Sequence, residues 1–456
     1  MDVDQPVQIP PPKCLFNVVL CDPVLYDDVF FYCTPGSIFR VGRTCRNGRY
    51  ASQEYARRKF NINKHLLRFF PDPLAFRSIQ ASTKTVISGS TALQFLNRTI
   101  YPNSDLDLYV SAEESFALCT FIMSKEGGSY VYKRYSHQSP NFMAAWKRVR
   151  SWKPAEGIEE DPFDQAWTGY GSNWIRTVFN FFAKTETGRR NVQVIVTTFD
   201  PLSSILGFHS SVVMNAITVD MAISLFPEAT FEENLNLFLG RARSENCQAA
   251  LDKYKERGWE LVDELTDEQI KGDKRMFRHG KRWIQDSHTW RLPLSTEGVN
   301  LNADADPEAM DLDNPPPTID SMLEGGFNVT HFEEDKLSMV IFGLVNTKIF
   351  TSRFIANRET VEKIEVFETA VKKMAERTLG KLALSPKQCE EMFVNWNKIC
   401  MNFCNCSICD HVIEEVVPQL DKCEAFKIML SDFPEMKEIF EEGKKMLEEE
   451  EEPVLV

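Results

Sequence analysis

The sequence predicts an α+β fold, a mixed sheet core with helices before and after it, and three patterns carry that reading. Between Leu15 and about Leu67 apolar residues recur at helical spacing, as in Val24, Val29, Phe30, Ile38, Val41 and Cys45, broken by Thr34-Pro35-Gly36-Ser37. From about Lys84 to Thr198 the pattern is mixed. Val86-Ile87 and Asp105 to Val110 read as strands on either side of a helix, Thr91 to Arg98, and Arg176 to Lys184 with Asn191 to Thr198 read as a hairpin about Thr185-Glu186-Thr187-Gly188. After about Ser210 the spacing predicts mostly helix, with long amphipathic runs near Thr360 to Arg377, Lys387 to Phe403 and Cys423 to Leu447.

These patterns divide the chain into a disordered start (1–12), a helical segment (13–66), a sheet-bearing domain (67–235), a helical extension (236–297), an Asn/Asp/Pro-rich linker or insertion (298–320), a C-terminal helical region (321–445) and an acidic tail (446–456). No repeat recurs at a fixed period, which argues against a solenoid or propeller.

Composition narrows the function classes. With 43% hydrophobic and 26% charged residues among 456, the chain can bury ordinary cores and is not mainly disordered. Met1 to Lys13 has aspartates and prolines in place of a basic then apolar run, so no signal peptide is expected there. The apolar stretch Leu337 to Val345 is too short to span a bilayer. An intracellular location, cytoplasmic or nuclear, with no membrane partner, is therefore expected, and the twelve cysteines read as reduced thiols. A net charge of -14 confines any polyanion site to a local patch.

The run Cys21-Asp22-Pro23-Val24-Leu25-Tyr26-Asp27-Asp28-Val29-Phe30, then Thr34-Pro35-Gly36-Ser37-Ile38, Arg40-Val41 and Thr44-Cys45-Arg46, resembles an F-box. Asp22-Pro23 stands where that family usually has Leu-Pro. The resemblance implies docking to a Skp-type adaptor of a ubiquitin ligase through apolar helix faces, for which Ile38 and Val41 are the expected contacts.

The densest chemistry lies in Val86-Ile87-Ser88-Gly89-Ser90-Thr91-Ala92-Leu93 and, after Tyr101-Pro102-Asn103, in Ser104-Asp105-Leu106-Asp107-Leu108-Tyr109-Val110. Gly89 lets backbone approach a ligand closely, and Ser90 opens a helix whose free N–H groups favour an anion such as a triphosphate. Asp105 and Asp107 are two apart on a strand, so both carboxylates project from one face. Converging hard oxygen ligands suit Mg²⁺ completed by water and phosphate oxygens.

This arrangement resembles the nucleotidyltransferase superfamily, whose signature is an apolar residue, Gly-Ser, a short helix and Asp-apolar-Asp on the next strand. The resemblance implies binding of a magnesium nucleoside triphosphate. That superfamily usually supplies a third acidic residue from a later strand, here expected to be Asn191 to Val196, where the polar position of matching facing is Gln193. An amide carries no charge and takes no proton near neutral pH, so transfer is expected to be slow or absent. Asp200, just past the strand, is the alternative third carboxylate, and Glu186 in the turn a poorer one.

Two clusters of cations interleaved with aromatic residues admit an RNA partner: Lys133-Arg134, Lys147-Arg148, Arg150 and Lys153, and then Lys274-Arg275, Arg278 and Lys281-Arg282-Trp283. Cys400, Cys404, Cys406 and Cys409, followed by His411, have zinc-ligand chemistry but not the spacing of a familiar zinc framework, and buried reduced thiols are expected instead of zinc.

Overall fold

The computed structural model describes residues 15–102, 104–151, 174–185, 188–198, 200–240, 245–271, 276–301, 325–332, 337–345 and 354–356. Short helices come first, as the spacing predicts: α1 (Leu15–Cys21), α2 (Pro23–Phe31), α3 (Pro35–Val41), α4 (Arg46–Lys59) and α5 (Ile62–Leu66). Their starts are set by side chains that accept backbone hydrogen bonds. Asp22 accepts from the Val24 and Leu25 N–H groups ahead of Pro23, and Thr34 accepts from Ser37 N–H ahead of Pro35. Proline in a first turn gives up no helical hydrogen bond, so these pairs begin helices at little cost.

Next come α6 (Pro73–Ser82), β1 (Val86–Ser88), α7 (Gly89–Asn97), β2 (Leu106–Ser111), α8 (Ser115–Met123), β3 (Val131–Lys133), α9 (Phe142–Arg150), β4 (Ile175–Thr185) and β5 (Gly188–Thr197). The strand, helix, strand and hairpin expected between Lys84 and Thr198 are present. β4 and β5 pair antiparallel from Thr185↔Gly188 to Ile175↔Thr197.

Beyond Ser210 the chain departs from the helical expectation. After α10 (Pro201–Leu206) come β6 (Asn215–Ile217), β7 (Met221–Ser224), β8 (Leu235–Leu237), α11 (Glu245–Glu256), β9 (Glu260–Val262), α12 (Asp267–Lys271), β10 (Gly280–Trp283), β11 (Trp290–Pro293), β12 (Gly326–Phe332), β13 (Leu337–Ile341), β14 (Gly343–Val345) and β15 (Phe354–Ala356). The expected helical extension 236–297 thus holds strands as well as helices, and the described start of 321–445 is strand. The reason is length and burial. β6 and β7 are three or four residues long and almost wholly buried, so they carry no polar alternation, and a short apolar run reads the same in helix or strand. The amphipathic runs from Thr360 to Leu447 lie outside the described residues.

Eight strands form one mixed sheet in the order β11-β7-β6-β1-β2-β5-β4-β3. Within it β2 and β5 run parallel, while the other neighbours are antiparallel. Alternation splits β2 between two cores. Leu106, Leu108 and Val110 join Phe76, Leu93, Ile122 and Val194 on one face, and Tyr109 joins Val86, Ile195, Ile205 and Phe277 on the other. No described helix is long and apolar enough to cross a membrane.

The N-terminal helices have a small core of their own, Leu20, Tyr26, Phe30, Ile38, Ala51 and Tyr55, while Phe60, Ile62 and Leu66 belong to the core beneath the sheet. Two charged side chains fasten the junction. Arg98 donates to Phe30 O (2.9 Å), Cys33 O (2.6 Å) and Tyr55 Oη (2.8 Å). Glu232 accepts from Thr34 Oγ1 (2.7 Å), Gly36 N (2.9 Å) and Arg40 Nη2 (3.1 Å) at the start of α3.

Removing the guanidinium takes its donor from Cys33 O and one of two donors from Phe30 O, which still accepts from Cys33 N (3.2 Å). Arg98→Ala is therefore expected to cost about 3 kcal/mol in urea unfolding. It should also speed proteolytic cleavage between α1 and α4. An unchanged unfolding midpoint would show that Arg98 does not hold the junction.

Candidate functional site

Backbone geometry at Gly89 starts the site. The residue leaves β1 at φ +64°, a conformation strained for any side-chain-bearing residue, and a Cβ there would stand 2.6 Å from Asp107 Oδ2. Lack of a side chain thus permits the turn and lets the Asp107 carboxylate lie against the chain. No side chain caps α7, because Ser88 donates its hydroxyl to Asn215 O (2.5 Å) across the sheet. The first N–H groups of the helix, at Gly89 and Ser90, receive no side-chain cap and lie at the positive end of the helix dipole.

A buried amide locks this helix to the loop that delivers the aspartates. Gln94 Nε2 donates to Ser90 O (3.0 Å) and Ser104 Oγ (2.9 Å), and its Oε1 accepts from Tyr101 N (2.7 Å) and Arg68 Nη2 (3.2 Å). Thr91 Oγ1 donates to Asp105 O (2.8 Å). Asp105 therefore enters β2 from a loop whose backbone is held on both sides.

Pairing then brings the predicted residues together. The parallel register sets Asp107 opposite Gln193, and the antiparallel pairings set Ser88 opposite Asp107 and Asn180 opposite Gln193. Asp105 Oδ1 accepts from Asn191 Nδ2 (3.0 Å) and its Oδ2 from Gln193 Nε2 (3.4 Å). Gly89, Ser90, Asp105, Asp107 and Gln193 thus share one corner of the sheet. Asp200 does not join them: it follows the opposite end of β5 and caps α10, accepting Leu202 N–H at 2.8 Å. Its use as the third carboxylate is excluded by that position. Glu186 lies outside the described residues, as do Cys400, Cys404, Cys406, Cys409 and His411.

Burial, together with the charge of Asp105, pushes the Asp107 carboxyl up to about 7, with Lys253 acting in the opposite direction. Lys253 is itself held below its ordinary value by burial and by Arg257, against the pull of Asp107 and Asp105. It comes from α11, and Arg257, just past the end of that helix, lies 3.8 Å over the Tyr101 ring in the loop before Asp105. Sequence reading missed these two cations and Asn191. Asn191 was legible from its spacing of two from Gln193 on the same strand, whereas nothing local marks Lys253 or Arg257.

Two carboxylates with amide support can hold a hard cation only in part. Among the described residues no group of three or more His, Cys, Asp or Glu side chains could hold a metal ion. Asn191 Oδ1 is buried and lacks a hydrogen-bond partner among the described residues, while its Nδ2 donates to Asp105.

Of the second cationic cluster, Arg282 is buried, paired with Asp286 and donating to Leu225 O (3.0 Å), so it is structural. Lys153, Lys274 and Arg275 lie outside the described residues.

The raised Asp107 pKa has a defined effect on metal-free stability. An acid with pKa about 7 folded, against an ordinary 3.8, adds stability fully below pH 4 and loses it as pH rises to 7. Relative to Asp107→Asn, wild type should lose on the order of 2–4 kcal/mol between those limits, measured by urea unfolding in chelator. Parallel pH curves would mean that Asp107 is ionised at little cost. Compared with known proteins, the chain matches no family model, no curated protein and no solved structure, and its site is read from its own geometry.

Proposed function

We propose that this chain is a nucleotidyltransferase-fold protein that binds a nucleoside triphosphate together with Mg²⁺ and transfers the nucleotide feebly or not at all. The observation that carries this reading is the meeting of an uncapped helix start with two carboxylates, at a glycine that admits no Cβ. Backbone N–H groups at Gly89 and Ser90 would hold phosphate oxygens, and Lys253 would neutralise a charge facing the aspartates. Asp105 and Asp107 would hold Mg²⁺, and the Asn191 and Gln193 amides, each donating to one Asp105 oxygen, would fix the orientation of that carboxylate. When bound, Mg²⁺ would screen phosphate charge and polarise phosphoryl oxygens.

The same residues account for weak catalysis. Gln193 stands opposite Asp107, where a third carboxylate would accept the proton of an attacking hydroxyl. Its amide takes no proton near neutral pH, and the missing base is worth roughly 10²–10⁴-fold in rate.

Fluorescent nucleotide titrations test the reading. Wild type should bind with Mg²⁺ and bind at least tenfold more weakly in chelator, and Asp105→Asn with Asp107→Asn should abolish the difference while the protein stays folded. Gln193→Glu should raise incorporation into an acceptor above the wild-type level. Equal nucleotide affinity in the double variant and wild type would overturn the assignment of these carboxylates.

A second reading is favoured by the surface of the N-terminal helices. Val24, Phe31 and Tyr32 are 69%, 67% and 86% exposed, and Val29 and Leu25 are exposed beside them. An apolar face of that extent on α2 suits the docking of a Skp-type adaptor. Ile38 is fully buried and Val41 packs against the same small core, so the expected contacts at these positions are replaced by those on α2. Val24→Asp with Phe31→Asp should abolish capture of a Skp-type adaptor by the full chain and leave its melting temperature unchanged. Failure of wild type to capture the adaptor would end this reading.

A further inference from the structure

The site face of the sheet does not end at Gln193. Register continues its row across two more strands: Ser88, Asp107, Gln193 and Asn180 are followed by Lys133 on β3, so one line of polar side chains crosses five strands. The adjacent row runs from Asn191 through Phe182 to Val131, which is 56% exposed. Beyond it Lys184 and Arg189 stand directly opposite each other on the same face, both exposed. With strands about 4.8 Å apart, Lys133 lies about 14 Å from Asp107 along its row.

This cationic end is unusual in two respects. Like charges directly opposite on antiparallel strands repel and destabilise the pair. No ion pair among the described residues involves Lys133, Lys184 or Arg189, in a chain whose net charge is -14. No described carboxylate pairs with these cations, and an external anion would relieve the repulsion. Between these cations and the aspartates lie the Phe182 ring, with the Arg189 guanidinium 4.4 Å from its centre, and exposed Val131. A polyanion that also carries flat rings meets both surfaces.

We infer that the β5–β4–β3 face is the binding track for a single-stranded RNA, laid from Lys184, Arg189 and Lys133 toward the carboxylates, where its terminal hydroxyl would be the acceptor. The role as acceptor rests on the nucleotide-binding reading above; binding of the strand does not. Phosphates fit the arginine fork and the lysines, bases stack on the apolar row, and Asn180 and Gln193 offer hydrogen bonds to sugar hydroxyls. An acidic peptide would satisfy the cations but leave the apolar row unused.

Fluorescence anisotropy with the full chain and a labelled oligoadenylate longer than ~16 nucleotides, the largest footprint of one single-strand-binding module, reads the track directly. Without nucleotide or Mg²⁺, wild type should bind, and Lys133→Glu with Lys184→Glu and Arg189→Glu should bind at least about tenfold more weakly. Its salt dependence should fall by about 2 in log-log slope, near 0.7 for each lost phosphate contact. Lys184→Glu alone should weaken RNA binding while raising the melting temperature by about 1–3 °C, because it replaces a repulsion by an ion pair. The Asp105→Asn, Asp107→Asn double variant should keep its RNA affinity. RNA binding without nucleotide binding would therefore leave the track standing and remove the transferase reading, and nucleotide binding without RNA binding would do the reverse. Equal RNA affinity in the triple variant and wild type, equally tight binding of polyglutamate, or a lower melting temperature in Lys184→Glu would each overturn the proposal.

Discussion

The parallel pairing of β2 with β5 is the constraint on which the rest of the site depends. Without it Asp105 and Asp107 are two acids at a strand start, and Gln193 and Asn191 are two amides on a hairpin. With it, Leu106↔Val192 and Asp107↔Gln193 fall in register, and both amides point their N–H groups at Asp105. Register in such a strand is stiff, because a one-residue slip would carry Val192, Val194 and Val196 out of the core and bring Gln193 into it. The hydrophobic side of the sheet therefore holds the polar side in alignment.

A parallel pair needs a long crossover, and the chain spends α8, β3, α9 and β4 on it. That detour places β4 and β3 beyond β5 and extends the polar row outward from the carboxylates. The face so made is divided along the strands. Tyr109, Ile195 and Val178 pack into the second core, while the rows before them pass from half-buried at Gln193 and Asn180 to exposed at Lys133 and grow more cationic with distance from Asp107. An acidic chain thus carries a local positive field where its register, not its composition, concentrates the charge.

The N-terminal helices are joined to this body by oriented polar bonds as well as by packing. Arg98, itself the residue that ends α7, reaches back to the carbonyls at the end of α2, and Glu232 caps the start of α3. Phe39 meets Trp290 edge-on at 5.6 Å, so the outer edge strand β11 also touches these helices. The helix that opens the candidate site and the segment with the exposed apolar face are consequently two neighbours in one packed structure.

Local chemistry was sufficient to read several elements directly. Asp22-Pro23 and Thr34-Pro35 announce capped helix starts, Gly89-Ser90 announces a helix with free N–H groups, and the alternation in Asp105 to Val110 fixes which side chains face the site. Those features depend only on near neighbours in sequence. The strands after Ser210 are not legible because complete burial erases alternation, and the role of Asp200 is not, because a helix cap and a metal ligand use the same residue type. Lys253 and Arg257 gave no local sign, since what makes them part of the site is the docking of α11 across the loop at Tyr101. The sequence alone determined which acidic, amide and helix-opening groups the chain carries and on which local elements they stand. Tertiary structure decided which of them meet, because proximity between distant residues is set by strand register and core packing, and neither is written in any one segment.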